Sequence, residues 1–103
     1  MTITLIGMID GIDREVVLPN TPEVYIGRDW NDKDIADGFP LPHFLVSRRH
    51  CVIIDIGNNK YRVKDLGSTN GTYVNGIMVE EENIFNGDTL GIAKEFRFDV
   101  RIK

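Results

Sequence analysis

The sequence predicts an all-β fold. Apolar and polar residues alternate with a period of two along most of the chain, and no window keeps a 3.6-residue apolar period over ten or more residues. Turn-forming pairs interrupt these stretches at short intervals, which favours a sandwich of many short strands over an open sheet.

In chain order, residues 2–7 and 15–18 flank Asp10-Gly11, a pair whose tolerance of positive φ suits a tight turn. Residues 24–27 follow Pro19-Asn20 and run into Gly27-Arg28. Residues 50–54 hold the longest apolar run, Cys51 through Ile54, and Ser47-Arg48-Arg49-His50 is expected to open that strand. Gly57-Asn58-Asn59 then turns the chain into residues 60–64, where Tyr61 and Val63 alternate with Lys60, Arg62 and Lys64. Residues 72–74 and 77–79 bracket Asn75-Gly76, and residues 88–92 follow Asn86-Gly87. Asn70-Gly71 carries the same hairpin chemistry as Asn75-Gly76. The final stretch is the clearest: Phe96, Phe98, Val100 and Ile102 alternate with Arg97, Asp99, Arg101 and Lys103, one face for a core and one for water. Residues 29–45 break the rhythm with Trp30, four acids, Gly38, Pro40, Pro42 and His43. That is long for a loop in a small domain and points to a functional segment, with Asp34-Ile35-Ala36-Asp37 a candidate helical turn.

At 103 residues, with 42% hydrophobic and 27% charged, the chain has the length and composition of one globular domain spanning 1–103. The apolar run at 51–54 is far short of the roughly 18 residues needed to cross a bilayer. The first residues lack the basic segment of a secretory signal, and the single Cys51 has no partner for an internal disulfide. These features lead to the expectation of an intracellular protein, in cytoplasm or nucleus, that makes no membrane contact. Sixteen acids against twelve bases give a formal net charge of −4, and neither a basic stripe nor an aromatic stacking motif favours nucleic acid. The bases are unevenly placed, however. No acid occurs from Phe39 through Val52, while Arg48 and Arg49 stand side by side there, so a local anion site inside an acidic protein is expected.

Arg28 can present a planar fork of N–H groups to two oxygens of one anion at once, which Lys cannot do. Ser47 can add an O–H, the backbone of Arg48 an N–H, and Arg48 or Arg49 a second cation. Regular strand geometry would turn Arg48 and Arg49 to opposite faces, so only one of them is expected to reach a shared ligand. The same geometry separates Ser47 from His50 and argues against a catalytic Ser-His pair with Asp55 or Asp65 as third member; no nucleophile elbow is present either. His43, His50 and Cys51 lack paired metal-ligand spacing, so neither a metal nor another cofactor is expected.

Taken together, Gly27-Arg28, Ser47-Arg48-Arg49-His50, the run from Asp65 to Gly76 (DLGSTNGTYVNG) and Asn86-Gly87-Asp88 before a last apolar strand resemble the forkhead-associated (FHA) domain pattern over nearly the whole chain. The resemblance implies a β-sandwich of eleven strands in two twisted, mainly antiparallel sheets, with loops at one end that bind phosphothreonine in an extended peptide. It implies phosphate contacts from Arg28, Ser47 and Arg48. Peptide contacts would come from Thr69 and Asn70, on a loop facing Ser47, and from Leu45 and Arg49. Gly27, His50, Gly71 and Asn75 would support the site, His50 as a buried strut between loops. Leu45, two residues before the motif serine, stands where the family often selects the residue three positions after the phosphothreonine, and it carries no charge to favour an acidic one. The partner is then a phosphothreonine-containing protein, and the chain a monomeric, non-enzymatic module of a larger protein that recruits an attached or partner protein in kinase-dependent signalling. The alternative is a constitutive protein-interaction sandwich with a vestigial phosphate site.

Overall fold

The computed structural model describes residues 2–28 and 38–103; Trp30 and the candidate helical turn at 34–37 lie outside them. The described residues form eleven strands: β1 (Ile3–Ile9), β2 (Ile12–Val17), β3 (Glu23–Gly27), β4 (Gly38–Pro40), β5 (Cys51–Gly57), β6 (Lys60–Asp65), β7 (Thr72–Val74), β8 (Ile77–Val79), β9 (Glu81–Ile84), β10 (Thr89–Ile92) and β11 (Phe96–Ile102). They build a six-stranded sheet in the order β2-β1-β11-β10-β7-β8 and a five-stranded sheet in the order β4-β3-β5-β6-β9. Every pairing is antiparallel except β3 with β4.

Alternation explains the core. Phe96, Phe98 and Val100 of β11 are buried while Arg97, Asp99 and Arg101 are exposed. They meet Ile3 and Leu5 of β1, Leu90 and Ile92 of β10, and, from the other sheet, Ile26, Ile53, Val63 and Ile84. Each such side chain contributes about 1.5–3 kcal/mol by leaving water. Cys51 belongs to this core, where burial pushes its thiol pKa up to about 12.

Two strands carry no period-2 signal. β9 reads Glu-Glu-Asn-Ile and is an edge strand paired only with β6, so just Ile84 needs to be apolar. β4 is held by its parallel pairing with β3 and by Phe39, whose ring lies edge-on to Phe98 at 6.1 Å between centroids. The hairpin readings divide as well. Asn75 and Gly76, with φ of 51° and 82°, form the two-residue turn between β7 and β8. Asn70-Gly71 does not form a hairpin: it ends the segment that carries the chain from β6 in one sheet to β7 in the other. Residues 47–50 lie outside any strand, because β5 begins at Cys51.

Candidate phosphopeptide site

At one end of the sandwich, backbone hydrogen bonds tie three segments together. Arg28 N–H donates to Ser47 C=O at 3.0 Å, Leu41 N–H to Gly27 C=O at 2.8 Å, and Leu66 N–H to His50 C=O at 2.9 Å. The segments are thus fixed to one another before any ligand is considered.

His50 is the hub. Its side chain is wholly buried. Nδ1 accepts the Ser47 N–H at 3.1 Å, and Nε2 lies 2.7 Å from the Gly71 carbonyl oxygen. The first contact needs a lone pair and the second a proton, so the ring is the neutral Nε2–H tautomer. Burial pushes its pKa below the ordinary value, against the opposing pull of the Gly71 carbonyl and the Asp65 charge. The Ser47-His50 dyad is absent for a reason other than strand geometry: residues 47–50 form a bend in which both imidazole nitrogens are already engaged, neither by the Ser47 hydroxyl. The same bend removes the strand argument that Arg48 and Arg49 must face opposite ways.

Asp65 organises the facing loop. Its carboxylate accepts the N–H groups of Gly67 and Ser68 at 3.0 Å, the Ser68 hydroxyl at 2.5 Å and the Thr72 hydroxyl at 2.7 Å. Burial alone would raise its pKa, but the Ser68 and Thr72 bonds, helped by His50, hold it below the usual carboxylate value. Ser68 Oγ in turn accepts the Gly71 N–H at 3.0 Å. In the sequence Asp65 has a place in the motif run and a rival role as catalytic acid but no structural role, yet its following Gly67 and Ser68 are the signature of a carboxylate that caps its own turn.

Two side-chain bonds then cross between the loops: Thr69 N–H donates to Ser47 Oγ at 3.0 Å, and Asn70 Nδ2 donates to the Leu45 carbonyl at 2.8 Å. Between them lies a hollow of about 290 Å³ lined by Arg28, Phe44, Leu45, Val46, Ser47, Arg48, Thr69 and Asn70. The structure therefore brings together Arg28, Ser47, Arg48, Thr69, Asn70 and Leu45. Gly27 is buried directly behind Arg28, and Gly71 anchors the loop through His50. Asn75 stands in its hairpin, bonded to Asp88 and to the Thr89 N–H, and does not line the hollow. Arg49 does not line it either; its charge is felt by Tyr25. Phe44, 79% exposed and stacked on His43 at 4.8 Å, is a lining residue that no sequence pattern singled out.

The hollow is rich in unspent donors. Neither Arg28 nor Arg48 has an ion pair among the described residues, and the Arg48 N–H has no acceptor there. Ser47 Oγ accepts one bond while its own proton has no acceptor among the described residues. Asn70 keeps an amide hydrogen and its carbonyl oxygen. Two arginines, a hydroxyl and a main-chain N–H lining one hollow, with no carboxylate among its described lining residues, give it the composition of an anion receptor on the loops of a β-sandwich.

Comparison with known proteins gives that receptor its family. The FHA domain family model matches residues 24–93, and the chain belongs to that family. The glycogen accumulation regulator GarA of Mycobacterium tuberculosis is 47% identical over 54 residues, which are 52% of this chain; the match spans 33% of GarA, so the chain covers only about a third of that relative's length. A structure from an analysis of phosphothreonine-dependent FHA domain interactions is 34% identical with a TM-score of 0.80, over 100% of this chain and 98% of that one. EmbR of Mycobacterium tuberculosis, in complex with a low-affinity phosphopeptide, is 29% identical with a TM-score of 0.76, over 99% of this chain and 24% of that one.

Proposed function

We propose that residues 1–103 act as one unit that binds phosphothreonine in an extended segment of a partner protein. A phosphothreonine carries about −1.5 to −2 charges at pH 7 and three strong acceptor oxygens. Arg28 takes two of those oxygens through its fork, the Ser47 hydroxyl and the Arg48 N–H donate to the phosphate, and the Arg48 side chain supplies the second cation. Asn70 bonds the peptide backbone on both its donor and acceptor sides, and Thr69 lines the pocket beside the phosphothreonine methyl. Leu45, Phe44 and Arg49 face the residues that flank it. His50, Gly71 and Gly27 hold the loops, and Asn75 holds its hairpin.

The observation that carries this reading is that Arg28, Ser47, Arg48 and Asn70 line one hollow, with both guanidinium groups and the Ser47 proton unpaired among the described residues and with an amide hydrogen and the side-chain carbonyl of Asn70 left over from its bond to Leu45. The intact set of Arg28, Ser47 and Asn70 argues against a vestigial site. Relatives described by phosphothreonine-dependent interactions and by a bound phosphopeptide support it. The proposed role is binding without chemical transformation, in keeping with His50, the buried base among the described residues, having both nitrogens engaged in holding the loops. The domain works as an intracellular adaptor that brings its parent protein to a partner once a kinase has acted.

Titration calorimetry with a phosphothreonine peptide, its unphosphorylated form and its phosphoserine form tests the reading. Hydrogen bonds to charged groups contribute about 1.5–3 kcal/mol each, so three or four of them account for micromolar affinity near −8 kcal/mol after the costs of binding. The unphosphorylated peptide should not bind, and the phosphoserine peptide should bind more weakly by about 1–3 kcal/mol, the value of one fitted methyl. Equal affinity for phosphorylated and unphosphorylated peptides would leave only the constitutive alternative.

A further inference from the structure

The outer face of the six-stranded sheet is dented at one place, and the dent is positively charged. Tyr73 of β7, Gly91 of β10 and Arg97 of β11 stand opposite one another in the register. Gly91 has no side chain to fill the middle of that row, and a Cβ there would stand 3.0 Å from Tyr73 Cβ. Thr89, Lys94 and the edge of Phe96 complete a trough of about 300 Å³, at the small end of the range for ligand pockets.

The trough holds two cations that have no counter-charge among the described residues. The Lys94 ammonium lies 5.8 Å from the centroid of the Tyr73 ring, and Arg97 makes no ion pair or hydrogen bond among the described residues. Glu95, between them in sequence, is turned to His43, with 3.6 Å between Oε1 and Nε2. Asp99 faces Thr89 across the ladder and pairs with neither cation among the described residues. In a chain of formal net charge −4, this is a local field of the opposite sign.

The type of anion follows from the donors on offer. The Thr89 N–H is held by Asn75 and the N–H groups of the other strand residues lining the trough by the sheet ladders, which leaves only the turn residues Gly76 and Lys94 to add a backbone donor, too few for the nest that cradles a free phosphate. It offers a guanidinium fork, an ammonium, a hydroxyl and aromatic walls. These match a carboxylate carried on methylenes, which can take the fork through both oxygens while its stem packs on Tyr73 and Phe96. We propose that this trough is a second binding site, independent of phosphate, for a glutamate- or aspartate-bearing segment of a protein partner. Tyr73 links the trough to the loop of the first site, because its hydroxyl donates to the Asn70 main-chain carbonyl at 3.1 Å.

Amide shift mapping with an acetylated, amidated hexaglutamate peptide tests this site apart from the first. Saturable shifts are expected at Tyr73, Gly91, Lys94 and Arg97. They should persist in Arg28→Ala, which disables the phosphate hollow, and disappear in the Lys94→Glu/Arg97→Glu double variant. Both substituted side chains are exposed; if the double reversal disturbs the fold, Arg97→Gln should still weaken the peptide severalfold. Inorganic phosphate should leave the trough amides unmoved. Shifts confined to the Ser47 and Asn70 loops, shifts that survive the charge reversal, or trough amides that answer phosphate and not hexaglutamate would each overturn the proposal.

Discussion

At the scale of single residues, the site separates groups that meet the ligand from groups that hold them. Arg28 is proposed for the first kind, being exposed, without an ion-pair partner among the described residues, and bonded through its backbone rather than its head group. Arg28→Ala should leave the unfolding midpoint unchanged and weaken phosphopeptide binding by about 2 kcal/mol, roughly thirtyfold in Kd, as read by calorimetry. An unchanged Kd would remove it from the site. His50 is of the second kind. His50→Ala strands the Ser47 N–H and the Gly71 carbonyl, and each unsatisfied group costs about 1–3 kcal/mol, so a clear fall in the urea midpoint should accompany the loss of binding. The grouping of Arg28, Ser47 and Asn70 at one hollow was legible in the sequence because their donor chemistry is specific and their motif spacing distinctive. The role of Asp65 was not, since four hydrogen bonds to one carboxylate exist only once the loop has closed around it.

At the scale of elements, glycines mark where the loops are under most constraint. Gly71 combines a φ of +91° with crowding, because a Cβ there would lie 2.9 Å from Met78 Cε and 3.0 Å from Tyr73 Oη. Gly76 has a φ of +82° and open space around it. Gly76→Ala should therefore cost about 1 kcal/mol and Gly71→Ala at least about 2, with reduced phosphopeptide affinity only in the latter. Equal losses by urea denaturation would show that the crowding relaxes without cost. Strands with one buried face were legible from their alternation, β11 above all. Those that needed no alternation were not: β9 at a polar edge, and β4 held by Phe39 and by pairing with β3. Nor was the turn at Ala93 and Lys94, whose φ values of 59° and 60° are unusual for such residues. The loop between β4 and β5 presents Leu45 and Phe44 and no acid or base before Arg48 except His43. A degenerate phosphothreonine peptide library should accordingly return aliphatic rather than acidic residues at the third position after the phosphothreonine; enrichment of Asp there would refute this.

At the scale of the whole molecule, stability and binding should fall together in acid. His50 and Asp65 both have pKa values held below their ordinary 6.5 and 3.8 in the folded protein, so the unfolded chain takes up protons first. Their contributions are complete above those ordinary values and are lost as pH falls through the lowered folded ones. The urea midpoint should decline below about pH 6.5 through His50 and again below about pH 4 through Asp65. Affinity should weaken below about pH 6 as the phosphate loses its second charge. A midpoint that does not move between pH 7.5 and pH 4.5 would contradict the role given to His50. The bonds from Thr69 to Ser47 and from Asn70 to Leu45 carry a kinetic consequence. Because these bonds already fix the two loops to each other, capture need not wait for the loops to assemble, and encounter should be quick, first-order in peptide and retarded by salt. How long the partner stays will then be decided by how fast the phosphate lets go.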